Sequence, residues 1–240
     1  MSLPMRNTCG TKSGLQPPSN ATLNRVVSML QQALRLAVDR GLLTSAPRLR
    51  HLPERNARQG FFEKRDFEAV RNHLPAYLKD FATFAFLTGW RKGEIASLTW
   101  ADVDLTGKVL RLRPEHSKNA HGRVLALEGE LFEIVSRQRM PRKVRPIQEP
   151  AALIFHREGK RIGDFRKAWA NACSRARVPG ALFHDLRRTA ARNLVRAGVP
   201  ERIVMACTGH KTRSVLDRYN ICSEDDLRDA QRKLQAFTSR

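Results

Sequence analysis

Two arginine-containing segments carry side chains that can bind a phosphate. His184 and Arg187 lie three residues apart at the start of a predicted helix, so both can donate hydrogen bonds to one phosphate. The simpler interpretation is a histidine at the core edge beside a surface arginine. Arg91 also begins a predicted helix, and Glu94 lies three residues on, where it can orient the guanidinium. The simpler interpretation of this second pair is an ordinary helix ion pair.

A candidate nucleophile follows near the C-terminus. The chain has only 2 tyrosines, and Tyr219 comes nine residues after the dipeptide Gly209-His210. A phenol acts as a nucleophile where cationic side chains stabilise its developing charge. The alternative is an aromatic side chain that anchors a terminal helix. Cys207 and His210 resemble half of a zinc site, but no second Cys/His pair completes it, so we expect no metal.

The composition indicates a polyanionic partner. Lys and Arg number 44 against 23 Asp and Glu, a net charge of +21, and nucleic acid is the commonest polyanion that such an excess binds. The most apolar stretch, residues 81–90, is too short to span a bilayer, and no signal peptide is visible. Because the four cysteines are widely separated, they fit reduced thiols. We therefore expect a cytoplasmic, nucleoid-associated protein that does not enter a membrane.

The elements that must position these residues are mostly helices. Apolar side chains at helical spacing predict helices near 63–73, 76–88, 91–98, 128–138, 164–177, 184–197, 200–207, 212–219 and 224–236. Two strand-like runs, 109–113 and 123–127, flank a polar turn and predict a β-hairpin, and a further short strand is expected at 152–155. The predicted fold is mainly α with a small antiparallel β-sheet (α+β).

The chain is predicted to divide into four parts. Residues 1–19 form a loose tail, 20–43 one helix with an apolar stripe, 44–60 a linker that contains prolines and arginines, and 61–240 the main domain. A single helix cannot bury its own apolar stripe. The helix in 20–43 therefore needs partners that lie elsewhere.

The order of the candidate residues resembles the tyrosine recombinase (phage integrase) family. The segment from Leu87 to Asp104, which contains Thr-Gly-Trp-Arg-x-x-Glu-Ile, is similar to the first arginine box of that family. The hairpin Ser117–Leu127 is similar to its lysine-bearing turn, and the His-x-x-Arg, Gly-His and Tyr motifs follow in order. The resemblance covers about residues 61–240, and residues 20–43 are interpreted as a remnant helix of the family's core-binding domain.

The resemblance implies a role for each candidate residue. Two arginines would clamp the scissile phosphate, Tyr219 would attack it to leave a 3′-phosphotyrosyl bond, and Lys118 would protonate the 5′-oxygen, with Lys108 as a less suitable substitute. His184 would assist proton transfer, His210 would bind the phosphate, and Glu94 would hold the first arginine. The implied catalytic set is Arg91, Lys118, His184, Arg187, His210 and Tyr219.

The same resemblance implies the partners. We expect double-stranded DNA, with the chain a monomer in solution and a homotetramer on DNA, held by a C-terminal helix that docks into a neighbouring subunit. Two other functions stay open. One is DNA relaxation of the type IB topoisomerase kind, which uses a similar set of side chains. The other is a non-catalytic DNA-binding remnant of an integrase.

Overall fold

The computed structural model describes residues 17–54, 60–117, 122–139, 152–213 and 224–239. The chain divides into two units, Met1–Arg58 and Gln59–Arg240. The first unit contains helix α1 (Asn20–Asp39), which begins at Ser19, whose hydroxyl accepts a hydrogen bond from the Thr22 amide. The buried Asn24 side chain donates to the Leu52 carbonyl and accepts from the Leu52 amide, so residues 49–54 are held along the helix.

The second unit contains the remaining elements. Its described α-helices are α2 (Lys64–His73), α3 (Ala76–Thr88), α4 (Lys92–Ala96), α5 (Glu130–Arg139), α6 (Arg166–Arg175), α7 (Asp185–Arg196), α8 (Glu201–Thr208) and α9 (Glu224–Thr238). Its described strands are β1 (Val103–Asp104), β2 (Val109–Leu112), β3 (Arg123–Ala126), β4 (His156–Arg157) and β5 (Lys160–Arg161). Strands β1, β2 and β3 form one antiparallel sheet in that order, and β4 and β5 form a second hairpin.

Helix α3 lies at the centre of the core. Most of its side chains are apolar and they occur on every face of the helix, which is the pattern of a helix with partners on all sides. The Phe81 ring packs edge-on against Phe155 and Phe165 and stacks on Phe183, so three distant segments meet on this helix. Gly89 ends α3 in the left-handed conformation (φ +66°), which glycine adopts without strain. The predicted α+β fold, mainly helical with a small antiparallel sheet, is confirmed.

Three local predictions differ from the structure or fall outside its description. The strand expected at 152–155 is wrong, since only Leu153 forms a single bridge, to Thr99, while Ile154 and Phe155 fill the core. The helix expected at 91–98 ends at Ala96. Most of the helix expected at 212–219 lies outside the described residues. Apolar runs do not separate a strand from a buried connection, because both bury the same side chains.

The beginning of the second unit is anchored to helix α7. The amide of Phe62 donates to the Thr189 hydroxyl (2.9 Å), and its carbonyl accepts from the Arg192 guanidinium (3.1 Å). Arg192 also forms an ion pair with Glu63 (2.9 Å) and lies over the Phe61 ring, 4.7 Å from its centroid. These contacts fix residues 61–63 against the helix that carries Arg187. No helix in the described parts of the chain is long and apolar enough to cross a bilayer.

Candidate active site

Arg91 is held in place by Glu94. The Arg91 residue caps the start of α4, where its amide and its guanidinium both donate to the Glu94 carboxylate, at 2.9 and 2.8 Å. Glu94 is only 2% exposed, whereas the Arg91 side chain is 26% exposed, so the guanidinium is anchored from below and reaches the surface. Beside it lies an open cavity of about 690 Å³ whose lining includes Ser117 and Arg161.

Arg187 joins two other segments of the site. Its side chain is buried, which excludes the interpretation of a surface arginine. Its Nη1 atom donates to the Gly89 carbonyl (2.7 Å) and to the Thr208 carbonyl. Gly89 lies two residues before Arg91, and Thr208 lies two residues before His210. One guanidinium therefore fixes the backbone beside both of these candidate residues.

His210 has a defined tautomer in its neutral form. The Thr208 hydroxyl donates to the Val204 carbonyl (2.6 Å), and its oxygen lies 2.7 Å from the Nδ1 atom of His210. Because a hydroxyl has one proton, it must accept at this second contact, so Nδ1 carries the hydrogen and Nε2 carries the lone pair. Burial lowers the pKa of His210 to about 3, with further contributions from Arg187, Arg91, His184 and Arg123. A neutral His210 thus accepts at Nε2, and the predicted donation to a phosphate requires a second proton on the ring.

His184 is the residue that caps the start of α7. Desolvation of the ring lowers the pKa of His184, and the positive charges of Arg187 and Arg188 lower it further. The imidazole is therefore neutral near pH 7 and able to accept a proton. This is the charge state that the predicted role in proton transfer requires.

Two of the predicted residues, Lys118 and Tyr219, lie outside the described residues. Strands β2 and β3 pair from Val109–Ala126 to Leu112–Arg123, and Lys118 lies between the two strands in the sequence. The ammonium of the alternative residue, Lys108, lies over the Phe132 ring of α5, 5.5 Å from the centroid. The assignment of the general acid to Lys118 stays a prediction.

Sequence reasoning missed Arg123, which occupies the middle of the site. Its side chain is 8% exposed, and it donates to the Glu94 carboxylate (2.5 Å) and to the Thr208 carbonyl (2.6 Å). Its guanidinium lies over the Trp90 ring, 4.8 Å from the centroid. One signal was available, because Arg123 shares the inward side of its strand with Leu125 and the buried Leu127.

The charges of Glu94 and Arg123 depend on each other. Burial opposes ionisation of Glu94, but hydrogen bonds from Arg91 and the charge and hydrogen bond of Arg123 outweigh it, so the pKa of Glu94 is lowered. Burial also lowers the pKa of Arg123, and Glu94 opposes that effect. One carboxylate thus faces two guanidinium groups, which leaves the site with a net positive charge. Guanidinium groups in such a site can form charge-assisted hydrogen bonds to an anion. Within the described ranges, no three His, Cys, Asp or Glu side chains are grouped as metal ligands.

Comparisons of the sequence identify similar proteins. The sequence model of the phage integrase family matches residues 64–224. The integrase of Salmonella phage P22 is 26% identical over 244 residues, which covers 94% of this chain and 62% of that protein. A XerC-like tyrosine recombinase of Caldanaerobacter subterraneus subsp. tengcongensis is 24% identical, over 83% of this chain and 62% of that protein. The chain therefore spans 62% of the length of each of these two relatives.

Solved structures with the same fold include integrases and recombinases. The Tn1549 transposon integrase in complex with circular intermediate DNA superposes with a TM-score of 0.68 at 16% identity, over 89% of this chain and 79% of that one. A lambda integrase dimer bound to a COC′ core site gives a TM-score of 0.67 at 16% identity, over 84% and 59% of the two chains. At this identity the likeness establishes the fold alone.

Proposed function

Since this chain belongs to the phage integrase family, the tyrosine recombinases, we propose that it cleaves and rejoins double-stranded DNA at specific sites through a covalent bond to Tyr219. The observation that carries the proposal is the position of Arg187. This buried side chain binds the backbone beside Arg91 and beside His210, so residues that are distant in sequence converge on one anion-binding surface. The net charge of +21 suits a polyanionic substrate.

Cleavage is a transfer of one phosphoryl group. The Tyr219 oxygen attacks the scissile phosphorus while Arg91 and Arg187 bind its non-bridging oxygens, whose charge increases in the transition state. The bond from phosphorus to the 5′-oxygen breaks, and the products are a 3′-phosphotyrosyl bond and a free 5′-hydroxyl. The phenolic proton passes to neutral His184, and Lys118 supplies the proton that the leaving 5′-oxygen takes up.

Rejoining is the reverse reaction with a different nucleophile. The 5′-hydroxyl of a partner duplex gives its proton to Lys118 and attacks the phosphotyrosyl phosphorus, while Tyr219 leaves and regains its proton from His184. Because one phosphodiester is exchanged for another through an ester of similar energy, the reaction needs no external energy source. His210 becomes a phosphate donor when the negative charge of bound DNA raises the proton affinity of its ring.

The chain acts as a homotetramer on DNA and as a monomer in solution. Helix α9 supports this proposal, because its apolar side chains Leu227, Leu234 and Phe237 are 60%, 55% and 76% exposed. An apolar helix face gains stability when a second protein surface covers it. A chain shortened to end at Cys222 should bind DNA but fail to form the tetramer in a native gel, and equal assembly would contradict this part of the proposal.

A covalent trapping assay tests the chemistry. Nicked duplexes tiled across the DNA that flanks the gene are incubated with the chain, so that loss of a short 5′-hydroxyl strand after cleavage prevents religation. The expected result is a protein–DNA adduct that forms with the wild-type chain in EDTA and is absent with Tyr219→Phe. Binding without an adduct on any of the duplexes would refute the proposal and favour a non-catalytic DNA-binding protein.

The same assay separates recombination from relaxation. A topoisomerase of type IB relaxes supercoiled plasmids as a monomer at many sequences, whereas a recombinase forms the adduct at one site. The matching relatives are integrases and recombinases, so they do not favour relaxation. Because DNA is the substrate, we place the protein at the nucleoid.

A further inference from the structure

Arg123 connects the two arginines that the proposed reaction requires. The Glu94 carboxylate accepts from Arg91 and Arg123, and the Thr208 carbonyl accepts from Arg123 and Arg187. The hydrogen bonds thus form one continuous chain from the first arginine to the second. The proposed reaction assigns Arg123 no contact with the phosphate, and its side chain is 8% exposed.

The surrounding structure confines the Arg123 guanidinium on two sides. The Trp90 ring lies on one side of the guanidinium, and the Trp90 indole nitrogen donates to the Cys207 carbonyl (3.0 Å), next to Thr208. Gly209 lies on another side, where an added Cβ atom would come within 2.1 Å of the Arg123 Nη1 atom. The site therefore has room for the guanidinium only because residue 209 has no side chain.

We infer that Arg123 is a positioning residue that sets the spacing of Arg91 and Arg187 for the scissile phosphate, by joining Glu94 to the Thr208 carbonyl. The inference rests on the proposed DNA cleavage and adds a residue to it. A fork of two N–H donors can bind a carboxylate and a carbonyl at the same time in fixed geometry, which a lysine ammonium does less well. Loss of the fork leaves Arg91 and Arg187 present but free to shift relative to each other, and a shift of 1 Å can lower the rate of a positioned reaction about 100-fold.

A second possible role lies close by, because Arg123 follows the turn that carries Lys118 by only a few residues. Removal of Arg123 could slow cleavage because it displaces the general acid Lys118, and not because it displaces Arg91 and Arg187. Two modified substrates separate these effects. A 5′-bridging phosphorothiolate has a thiolate leaving group that needs no proton, so it relieves the loss of a general acid. A methylphosphonate lacks the negative charge that the arginines bind, so it relieves the loss of the arginine clamp.

The experiment measures single-turnover adduct formation on the nicked duplex that the wild-type chain cleaves. Arg123→Met should lower the rate on the unmodified substrate about 100-fold with little change in DNA affinity, because the affected interaction belongs to the transition state. The loss should persist on the phosphorothiolate and shrink on the methylphosphonate. Lys118→Met should show the opposite pattern, and Arg123→Lys should fall between Arg123→Met and the wild type.

Arg113→Met is the matched control. It removes an ion pair of similar length, Arg113 to Asp102 at 2.6 Å, from the same hairpin. This ion pair does not involve Glu94 or Thr208. It should leave the adduct rate near that of the wild type on all three substrates. The inference is wrong if Arg123→Met behaves as the wild type, if it follows the Lys118→Met pattern, or if its loss is equal on all three substrates. Absence of an adduct with the wild-type chain would instead refute the proposed function, and with it the basis of the inference about Arg123.

Discussion

Gly209→Ala is the substitution whose effect the structure defines most closely, because a matched glycine provides the reference. Gly209 and Gly198 both follow the end of a helix in the left-handed conformation, with φ of +71° and +77°. A Cβ atom at Gly198 meets nothing within 4 Å, whereas a Cβ atom at Gly209 would lie 2.1 Å from Arg123 Nη1. The two alanine variants therefore share a backbone cost and differ in one contact.

The expected difference follows from the bonds that Arg123 must give up. The left-handed conformation costs an alanine roughly 1 kcal/mol at either position. At Gly209 the guanidinium must also move, which breaks its hydrogen bonds to Glu94 and to the Thr208 carbonyl. A hydrogen bond to a charged group contributes about 1.5–3 kcal/mol, so the additional loss should be about 3 kcal/mol. For a chain of this size, that corresponds to a further decrease in Tm of roughly 6–12 °C.

Urea unfolding of both variants, followed by circular dichroism, measures this difference directly. Repeating the pair in an Arg123→Ala background completes a double-mutant cycle. With the guanidinium absent, Gly209→Ala and Gly198→Ala should cost the same. Equal destabilisation in the wild-type background, or an additive cycle, would show that Arg123 does not occupy the space beside Gly209 and would refute the reasoning.

Three further predictions concern stability and reactivity. Because the pKa of His210 is lowered to about 3 in the folded chain and returns to 6.5 on unfolding, the native state binds fewer protons between these values. The free energy of unfolding should fall as pH decreases through that window, by up to about 1.4 kcal/mol per pH unit, and His210→Gln should flatten the dependence measured in urea at several pH values. Thr189→Val removes the acceptor of the buried Phe62 amide and should cost about 1–3 kcal/mol in thermal denaturation, with a smaller loss contradicting that bond. Burial raises the pKa of Cys173 to about 11, so iodoacetamide should alkylate it at neutral pH only as the chain unfolds, and rapid alkylation of the native protein would contradict its burial.

Local sequence patterns predicted the elements of the site better than its internal connections. The start of α4 at Arg91 followed from Gly89, which ends the preceding helix, and the contact of Arg91 with Glu94 followed from a spacing of three residues. The burial of Arg187 did not follow, because it depends on carbonyl groups 98 and 21 residues away in the sequence. The spacing of apolar residues in a helix or strand does not indicate a hydrogen-bond partner that lies so far away in the sequence.

Arg123 shows why a charged side chain in a strand is difficult to interpret. Its alternation with Leu125 and Leu127 places it on the inward side, but inward arginines are rare because an unpaired buried charge is costly. The costs are met here by Glu94 and the Thr208 carbonyl, 29 and 85 residues away. Only the fold brings those partners together, so the sequence pattern indicates an anomaly at this position and not its explanation.

The contacts of residues 61–63 with α7 show that the family match and the packed core of the second unit begin at different residues. The family match begins at residue 64, so Phe62 lies just outside it. Phe62 is nevertheless only 1% exposed, and its ring packs edge-on against Phe67 and Trp169. A polypeptide that begins at residue 64 would leave the Thr189 hydroxyl and the Arg192 guanidinium without their contacts to residues 61–63. The core of the second unit therefore includes residues that precede the family match, and these residues bind the helix that carries Arg187.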